Sequence, residues 1–108
     1  MIDLAINHVQ DRRQFGQPLA DFELVEEKIS WMVSYLFGLE SMAYATTGLV
    51  DRGVDDYALE SAMVKVAATE FLWYAANRVF RLAGGAAYMR DNPYEKILRD
   101  IRVFPIFE

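Results

Sequence analysis

Residues 22–52, FELVEEKISWMVSYLFGLESMAYATTGLVDR, carry the strongest structural pattern in the chain. Mostly apolar residues recur there at alternating steps of three and four, which is typical of a long helix packed nearly parallel to its neighbours: Phe22, Val25, Ile29, Met32, Leu36, Leu39, Ala43, Thr46 and Val50. At 1.5 Å per residue this helix is about 45 Å long, which indicates a bundle. Trp31, Tyr35 and Met42 form a second apolar flank. We therefore expect more than one neighbour to pack against the helix.

A second long helix follows. DRGVDDY, residues 51–57, contains a glycine that ends the first helix, with Asp55 or Asp56 as the N-cap of the next. The same steps then continue to the glycine pair at 84 and 85: Ala62, Val66, Thr69, Trp73, Ala76, Phe80 and Ala83. The methionine and tryptophan positions fall on these stripes, so we expect them in the core.

The two ends of the chain are also helical in pattern. The first segment enters its periodicity at Ile2 without a capping residue, as in a partial helix, so that both chain ends look internal to a longer protein. A loop, AAYMRDN, leads to Pro93 at the first position of a short helix that reaches about Arg102 before Pro105. No segment shows the alternation of apolar and polar residues that would favour a strand over a helix. The fold class is therefore all-α: an up-down bundle with two long antiparallel helices, a partial first helix and a short last helix.

The composition of the chain excludes several classes of function. A length of 108 residues with 54% hydrophobic content suits one domain, and a net charge of -5 gives no electrostatic reason to bind nucleic acid or an anionic membrane. The absence of cysteine excludes disulfides, thiolate metal sites and cysteine catalysis. With a single histidine, His8, which we expect to be a packing residue, we predict no metal site. No run approaches the roughly 20 apolar residues of a membrane span, and no signal peptide is evident.

Four motifs occur in order along the chain: RRQFGQPL at 12–19, LAGG at 82–85, YEKILRDIRV at 94–103 and IFE at 106–108. With ESMAY at 40–44 and ATEFLW at 68–73, they are distributed from residue 12 to residue 108. Together they resemble the C-terminal helical domain of the acyl-CoA dehydrogenases, and most of all the very-long-chain branch. The resemblance implies that residues 1–108 are that bundle, a fragment without the family's N-terminal helical and middle β-domains.

The resemblance assigns the catalytic role to Glu108. In the family, a glutamate followed by Gly-Thr removes the α-proton of an acyl-CoA thioester, and Glu108 matches that glutamate although the Gly-Thr is missing. A carboxylate suits the role because a base must take a weakly acidic proton while hydrogen bonds stabilise the enolate. Arg99 and Asp100 resemble a structural pair whose charges fix the segment that carries Glu108.

Two further motifs resemble contacts to FAD. Arg12, Gln14 and Phe15 match flavin-binding positions, with Arg12 on the pyrophosphate across a subunit boundary. The second motif matches residues that contact the ADP part of a neighbour's FAD: Arg81, Leu82, Ala83, Gly84 and Gly85. Arg81 departs from the family's glutamine. From the residues alone, an exposed arginine before a turn and a helix stop at the glycines remain alternative interpretations.

The resemblance implies an FAD-dependent acyl-CoA dehydrogenase of fatty acid β-oxidation, which forms trans-2-enoyl-CoA; the isolated chain should be inactive. Implied partners are the acyl-CoA substrate, further copies in a homodimer or homotetramer, and an electron-transfer flavoprotein as electron acceptor. Alternatives are a non-catalytic helical assembly module and an acyl-CoA oxidase. We expect bacterial cytoplasm, with the mitochondrial matrix as the alternative. Chain-length preference is not encoded in these residues.

Overall fold

The structure, a computed structural model, describes residues 1–107. In chain order it contains α1 (Ile2–Asp11), a small antiparallel ladder of β1 (Arg13–Gln14) and β2 (Gln17–Pro18), a 3₁₀ turn (Leu19–Asp21), α2 (Glu23–Asp51), α3 (Ala58–Ala83), α4 (Gly85–Tyr88) and α5 (Pro93–Ile101). The predicted all-α bundle with two long antiparallel helices, a first helix and a short last helix is confirmed. The ladder was not predicted, because each strand has only two residues.

The long helices begin and end close to the predicted residues. Beyond Asp51 the chain turns at Gly53, whose φ of 69° is left-handed, and the amide of Val54 donates to the carbonyl of Leu49 at 3.1 Å. Helix α3 begins at Ala58, later than predicted, but the side chain of Asp56 still accepts a hydrogen bond from the Ala58 amide at 3.1 Å. Local turn chemistry therefore fixes the connection between the long helices.

Helix α3 ends at the predicted glycines, but the segment after it differs from the prediction. Gly84 ends the helix with φ 60° and ψ −138°, a conformation that glycine adopts readily and other residues avoid. Gly85 then begins the short helix α4, where the sequence predicted a loop over residues 86–92. Ala87 explains the difference, because its fully buried side chain joins the main core cluster. Tertiary packing thus orders a segment with a weak sequence pattern.

The core lies where α1, α3, α4 and α5 meet the first half of α2. Met32 is its largest fully buried side chain, and small residues surround it. The cluster comprises Ala5, Met32, Ala75, Val79, Ala83, Ala87 and Tyr94. Alanines let the helix backbones approach closely, so a small core holds several helices together. This cluster holds together the helices that carry the motifs.

Beyond the core, the bundle is open and elongated. It measures 57 × 26 × 17 Å, and its radius of gyration of 16.8 Å exceeds the roughly 13 Å of a compact domain of this size. The expectation that the methionines and tryptophans lie in the core is wrong in part, since Trp31 is 50% and Met63 is 53% exposed. Beyond the core, the second half of α2 lies beside the first half of α3. Within residues 1–107, no helix combines the length and hydrophobicity needed to cross a membrane.

Candidate functional site

The RRQFGQPL motif forms a tight hairpin. Strand β1 pairs with β2 in the register Arg13 with Pro18 and Gln14 with Gln17. The two residues of the loop, Phe15 and Gly16, have φ values of 53° and 89°. Two left-handed residues match the twist of a two-residue hairpin, and glycine adopts this conformation without strain. Phenylalanine does not, at a cost of about 1–2 kcal/mol.

Phe15 projects from the tip of this hairpin. Its side chain is 92% exposed, and its ring forms a T-shaped pair with Phe22, with centroids 6.3 Å apart. An exposed aromatic ring on a strained backbone gains little stability from its own chain. Strain of this kind is typical of functional sites, which agrees with the prediction that Phe15 is a contact residue.

Arg12 has a fixed backbone and an open side chain. Its amide donates to the carbonyl of His8 at 2.9 Å, and its carbonyl accepts from the amide of Leu19 at 2.8 Å. Within the described part of the chain, the guanidinium makes no hydrogen bond or ion pair, and it borders a crevice of about 430 Å³. By contrast, the guanidinium of Arg13 turns back to the carbonyl of Gly16 at 3.5 Å. Arg12 is therefore the arginine that is free to bind an anion.

The same crevice involves His8. Its ring packs edge-on against Tyr94, with centroids 6.1 Å apart, which agrees with the expected packing role. Leu4, Asn7 and Asp11 complete the lining. Among residues 1–107, the Nε2 atom of His8 is buried without a hydrogen-bond partner. Helices α1 and α5 thus meet at a partly polar wall next to the guanidinium of Arg12.

The second motif lies at the end of α3. Arg81 is exposed in the last turn, whereas Leu82 packs against the core and Ala83 belongs to it. A Cβ placed at Gly84 or Gly85 would meet no atom of the chain within 4 Å. Gly84 is thus required for its backbone conformation, while the space beside Gly85 is open. In the described residues, the crevice beside Arg12 is not lined by this motif.

Glu108, the predicted base, lies outside the described residues, but the segment before it is held by contacts that the sequence did not predict. Nζ of Lys65 donates to the carbonyl of Phe107 at 2.6 Å, and the guanidinium of Arg102 lies 4.9 Å from the ring centroid of Trp73. One signal for Lys65 existed in the sequence, because position 65 shares a helix face with Ala62 and Thr69. A cation on a core stripe suggests a specific partner.

The expected charge pairing within the RD motif takes a different form. Arg99 pairs with Glu95 at 3.5 Å and Asp100 pairs with Lys96, both one helical turn earlier on α5. These exposed pairs stabilise α5 itself by a few tenths of a kcal/mol. They do not reach the segment after the helix, which is attached to α3 instead.

An aromatic groove lies between the middle of α2 and α3. It has a volume of about 940 Å³, and the ring of Tyr35 stacks on Phe71 with centroids 5.6 Å apart. Trp31 lies beside Tyr35, and the guanidinium of Arg78 covers Tyr74 at 4.7 Å. The second flank predicted for α2 therefore contacts α3 along one edge and remains open along the other.

Comparison with known proteins identifies the family. The whole chain, residues 1–108, matches the family model described as the acyl-CoA dehydrogenase C-terminal domain. The chain belongs to this family. The predicted membership is confirmed.

Named relatives agree with this membership. The chain is 35% identical over 108 residues to the very long-chain specific acyl-CoA dehydrogenase of Homo sapiens, named as mitochondrial, of which it covers 16%. It is 32% identical over 107 residues to the acryloyl-CoA reductase (NADH) of Anaerotignum propionicum, of which it covers 27%. Thus the chain spans well under a third of each relative.

Solved structures share the fold. The structure of a glutaryl-coenzyme A dehydrogenase in complex with glutaryl-CoA superimposes with a TM-score of 0.91 at 30% identity, over 97% of this chain and 27% of that one. An acyl-CoA dehydrogenase from Geobacillus kaustophilus gives a TM-score of 0.93 at 24% identity, over 98% of this chain and 28% of that one. The open, elongated bundle is thus a fold that larger chains also contain.

The strain at Phe15 can be measured. Asparagine tolerates the left-handed region, whereas alanine does not, so Phe15→Asn and Phe15→Ala remove the same ring but only the first relieves the backbone. We expect the free energy of unfolding, measured by urea titration of the chain, to be about 1 kcal/mol higher for the asparagine variant than for the alanine variant. Equal values for the two variants would show that the turn is unstrained.

Proposed function

We propose that this chain is the C-terminal helical bundle of an FAD-dependent acyl-CoA dehydrogenase that converts acyl-CoA thioesters to trans-2-enoyl-CoA. The observation that carries the proposal is the match of the family model along the whole chain, in which all four motifs keep their order. Residues 1–108 form one domain of that enzyme. Because the chain spans 16% of the human relative, we propose that the isolated chain does not catalyse the reaction.

The residues around the hairpin suit FAD. A guanidinium is permanently charged and offers a fork of donors to phosphate oxygens, and that of Arg12 makes no pair within residues 1–107. Gln14 is exposed on the same turn and can donate a hydrogen bond, while the ring of Phe15 offers an apolar face. We propose that these three side chains hold the cofactor. When bound, FAD supplies the acceptor for the hydride that leaves the β-carbon.

Residues 81–85 suit the ADP part of a second FAD. The end of α3 carries partial negative charge, which disfavours a phosphate unless a cation is present, and Arg81 supplies one in the last turn. Gly84 and Gly85 leave space for close approach of a ligand to the backbone. The side chains of Leu82 and Ala83 are turned to the core, so we propose that these two residues contribute through the backbone only.

Glu108 is the proposed base. A carboxylate that follows Phe107 directly can take the α-proton of the thioester if the segment is held still and water is excluded. We propose that the β-hydride departs in the same reaction, which leaves the trans-2,3 double bond. The direction is part of the proposal, since one relative is named as a reductase. An acyl-CoA oxidase would share this base and differ in its electron acceptor.

The exposed apolar faces of the long helices fit an oligomer. Phe37 and Tyr44 are 73% and 78% exposed, although they lie in the middle of α2. Contiguous apolar surface of this kind marks an interaction site. We propose that these faces pack against further copies in a homodimer or homotetramer, and that an electron-transfer flavoprotein accepts the electrons. For the compartment we propose bacterial cytoplasm, or the mitochondrial matrix, as in the name of the human relative.

Replacing the base tests the reaction. In the full-length protein we expect Glu108→Gln to lower turnover of an acyl-CoA by about 10²- to 10⁴-fold, because the amide cannot accept the α-proton. Bound flavin, measured by its visible absorbance, should be unchanged. The control is Glu95→Gln, which removes a carboxylate of α5 and should keep near-normal turnover. Full turnover in Glu108→Gln would contradict the assigned role, and a full-length protein without flavin would favour the assembly module.

Adjacent arginines allow a matched test of cofactor binding. We expect Arg12→Gln to weaken FAD binding about 10- to 100-fold, since a hydrogen bond to a charged group contributes about 1.5–3 kcal/mol. Arg13→Gln should have little effect, because that guanidinium faces its own hairpin. The measurement is the dissociation constant of FAD from the full-length apoprotein. Equal losses for both variants would indicate general electrostatic attraction instead of a specific contact.

A further inference from the structure

Lys65 connects the middle of α3 to the end of the described chain. Its Nζ donates a hydrogen bond of 2.6 Å to the carbonyl of Phe107, which is 42 residues away in sequence. The same ammonium lies 5.4 Å from the centroid of the Phe107 ring. A cation that contacts both the carbonyl and the ring of one residue restrains the position of its backbone and the direction of its side chain.

The segment after α5 is otherwise a series of turns. The amide of Phe104 donates to the carbonyl of Ile101 at 3.1 Å, and the amide of Phe107 donates to the carbonyl of Val103 at 3.2 Å. The rings of Phe104 and Phe107 lie 5.8 Å apart. These bonds are local, so they shape the segment without attaching it to the bundle.

Two long-range cation contacts attach the segment to α3. At its start, Arg102 covers the ring of Trp73, and at its end Lys65 binds Phe107. Eight residues separate Trp73 from Lys65 on α3, or about 12 Å along the helix. The segment therefore runs back along α3 between two fixed points, and the second of them directly precedes Glu108.

We propose that Lys65 is a positioning residue for the catalytic base: its hydrogen bond to the Phe107 carbonyl fixes where the carboxylate of Glu108 is presented. The inference rests on the function proposed above. Consecutive Cα atoms are about 3.8 Å apart, so the position of Phe107 limits where Glu108 can be presented. A misplacement of about 1 Å at a reacting group can cost about 100-fold in rate.

Two substitutions of Lys65 test the proposal in the full-length enzyme. Lys65→Met keeps the length of the side chain and removes the donor, whereas Lys65→Arg keeps a charged donor that can also cover the Phe107 ring. We expect kcat per bound flavin to fall about 10- to 100-fold in Lys65→Met. KM should change less than about twofold, since substrate binding is not the affected step. Lys65→Arg should restore most of the loss.

Lys28 supplies a matched control. Its Nζ also donates to a backbone carbonyl at 2.6 Å, that of Leu24, but this bond lies within one turn of α2. Lys28→Met therefore removes the same kind of bond without releasing a distant segment. We expect kcat and KM of this variant to stay within about twofold of the unmodified enzyme.

Amide hydrogen exchange gives a readout that does not depend on activity. We expect the peptide spanning residues 102–107 to exchange faster in Lys65→Met, while peptides of α1 and α2 are unchanged. In Lys28→Met the 102–107 peptide should exchange at the original rate. If Lys65→Met yields no flavin-loaded protein, the arginine variant decides: normal exchange and near-normal kcat support the proposal, and a loss of both contradicts it.

The outcomes separate this inference from the proposed function. If Glu108→Gln is inactive but Lys65→Met keeps its kcat and its exchange pattern, the positioning role is wrong and the function stands. If Glu108→Gln is fully active, the base assignment is wrong, and the positioning role is wrong with it. A similar loss of kcat in Lys28→Met and Lys65→Met would also overturn the proposal, because the effect would then be general.

Discussion

The structure depends on one constraint: α2 is apolar around most of its circumference, and the chain's own helices cover only part of it. A helix with this character is stable when it is buried on several sides. Here α1 and α3 cover one side around Met32, and the groove lined by Tyr35 and Phe71 is half-covered. The remaining faces of α2, which include Phe37 and Tyr44, are exposed in residues 1–107. The elongated shape follows from the length of α2, whose 29 residues extend over about 44 Å.

The same helices position the residues that we propose to act in the reaction, although the bundle alone does not form the whole active site. Three positions of the proposed site follow the ends of helices: Arg12 after α1, Gly84 after α3, and Phe107 beyond α5. Each has a fixed backbone and an open environment. The rigid helices hold these points in place, while the reactive partners approach from outside. The proposed functional positions thus lie where helices end, which is where backbone groups and side chains are not used for packing.

Much of the frame could be predicted from the sequence because it is local. Steps of three and four located α2 and α3, and glycines located their ends. The ladder and α4 could not be predicted in this way. Two-residue strands have no periodicity, and α4 is ordered by burial of Ala87, which depends on the rest of the fold. The exposure of Trp31 was missed for a related reason, since periodicity shows which faces are apolar but not whether this chain covers them.

The candidate site also has a part that the sequence predicts and a part that only the structure shows. Motifs predicted which residues to consider at 12–15 and 81–85, and the structure added conformation: the left-handed φ of Phe15 and the unpaired guanidinium of Arg12. The contact between Lys65 and Phe107 joins residues 42 positions apart, so the local pattern that marks Lys65 could not identify its partner. The sequence thus predicts which residues to consider and their local structure. Contacts between distant segments can be known only from the folded structure.

A crystal structure of the full-length protein with FAD and an unreactive acyl-CoA analogue provides the most direct test. The central claim is that this bundle presents Glu108 to the thioester and Arg12 to the flavin pyrophosphate of a neighbouring subunit. If it is correct, a carboxylate oxygen of Glu108 lies about 3–3.5 Å from the α-carbon and a guanidinium nitrogen of Arg12 lies about 2.7–2.9 Å from a phosphate oxygen. A Glu108 carboxylate directed away from the thioester, or an Arg12 in bulk solvent, would contradict it.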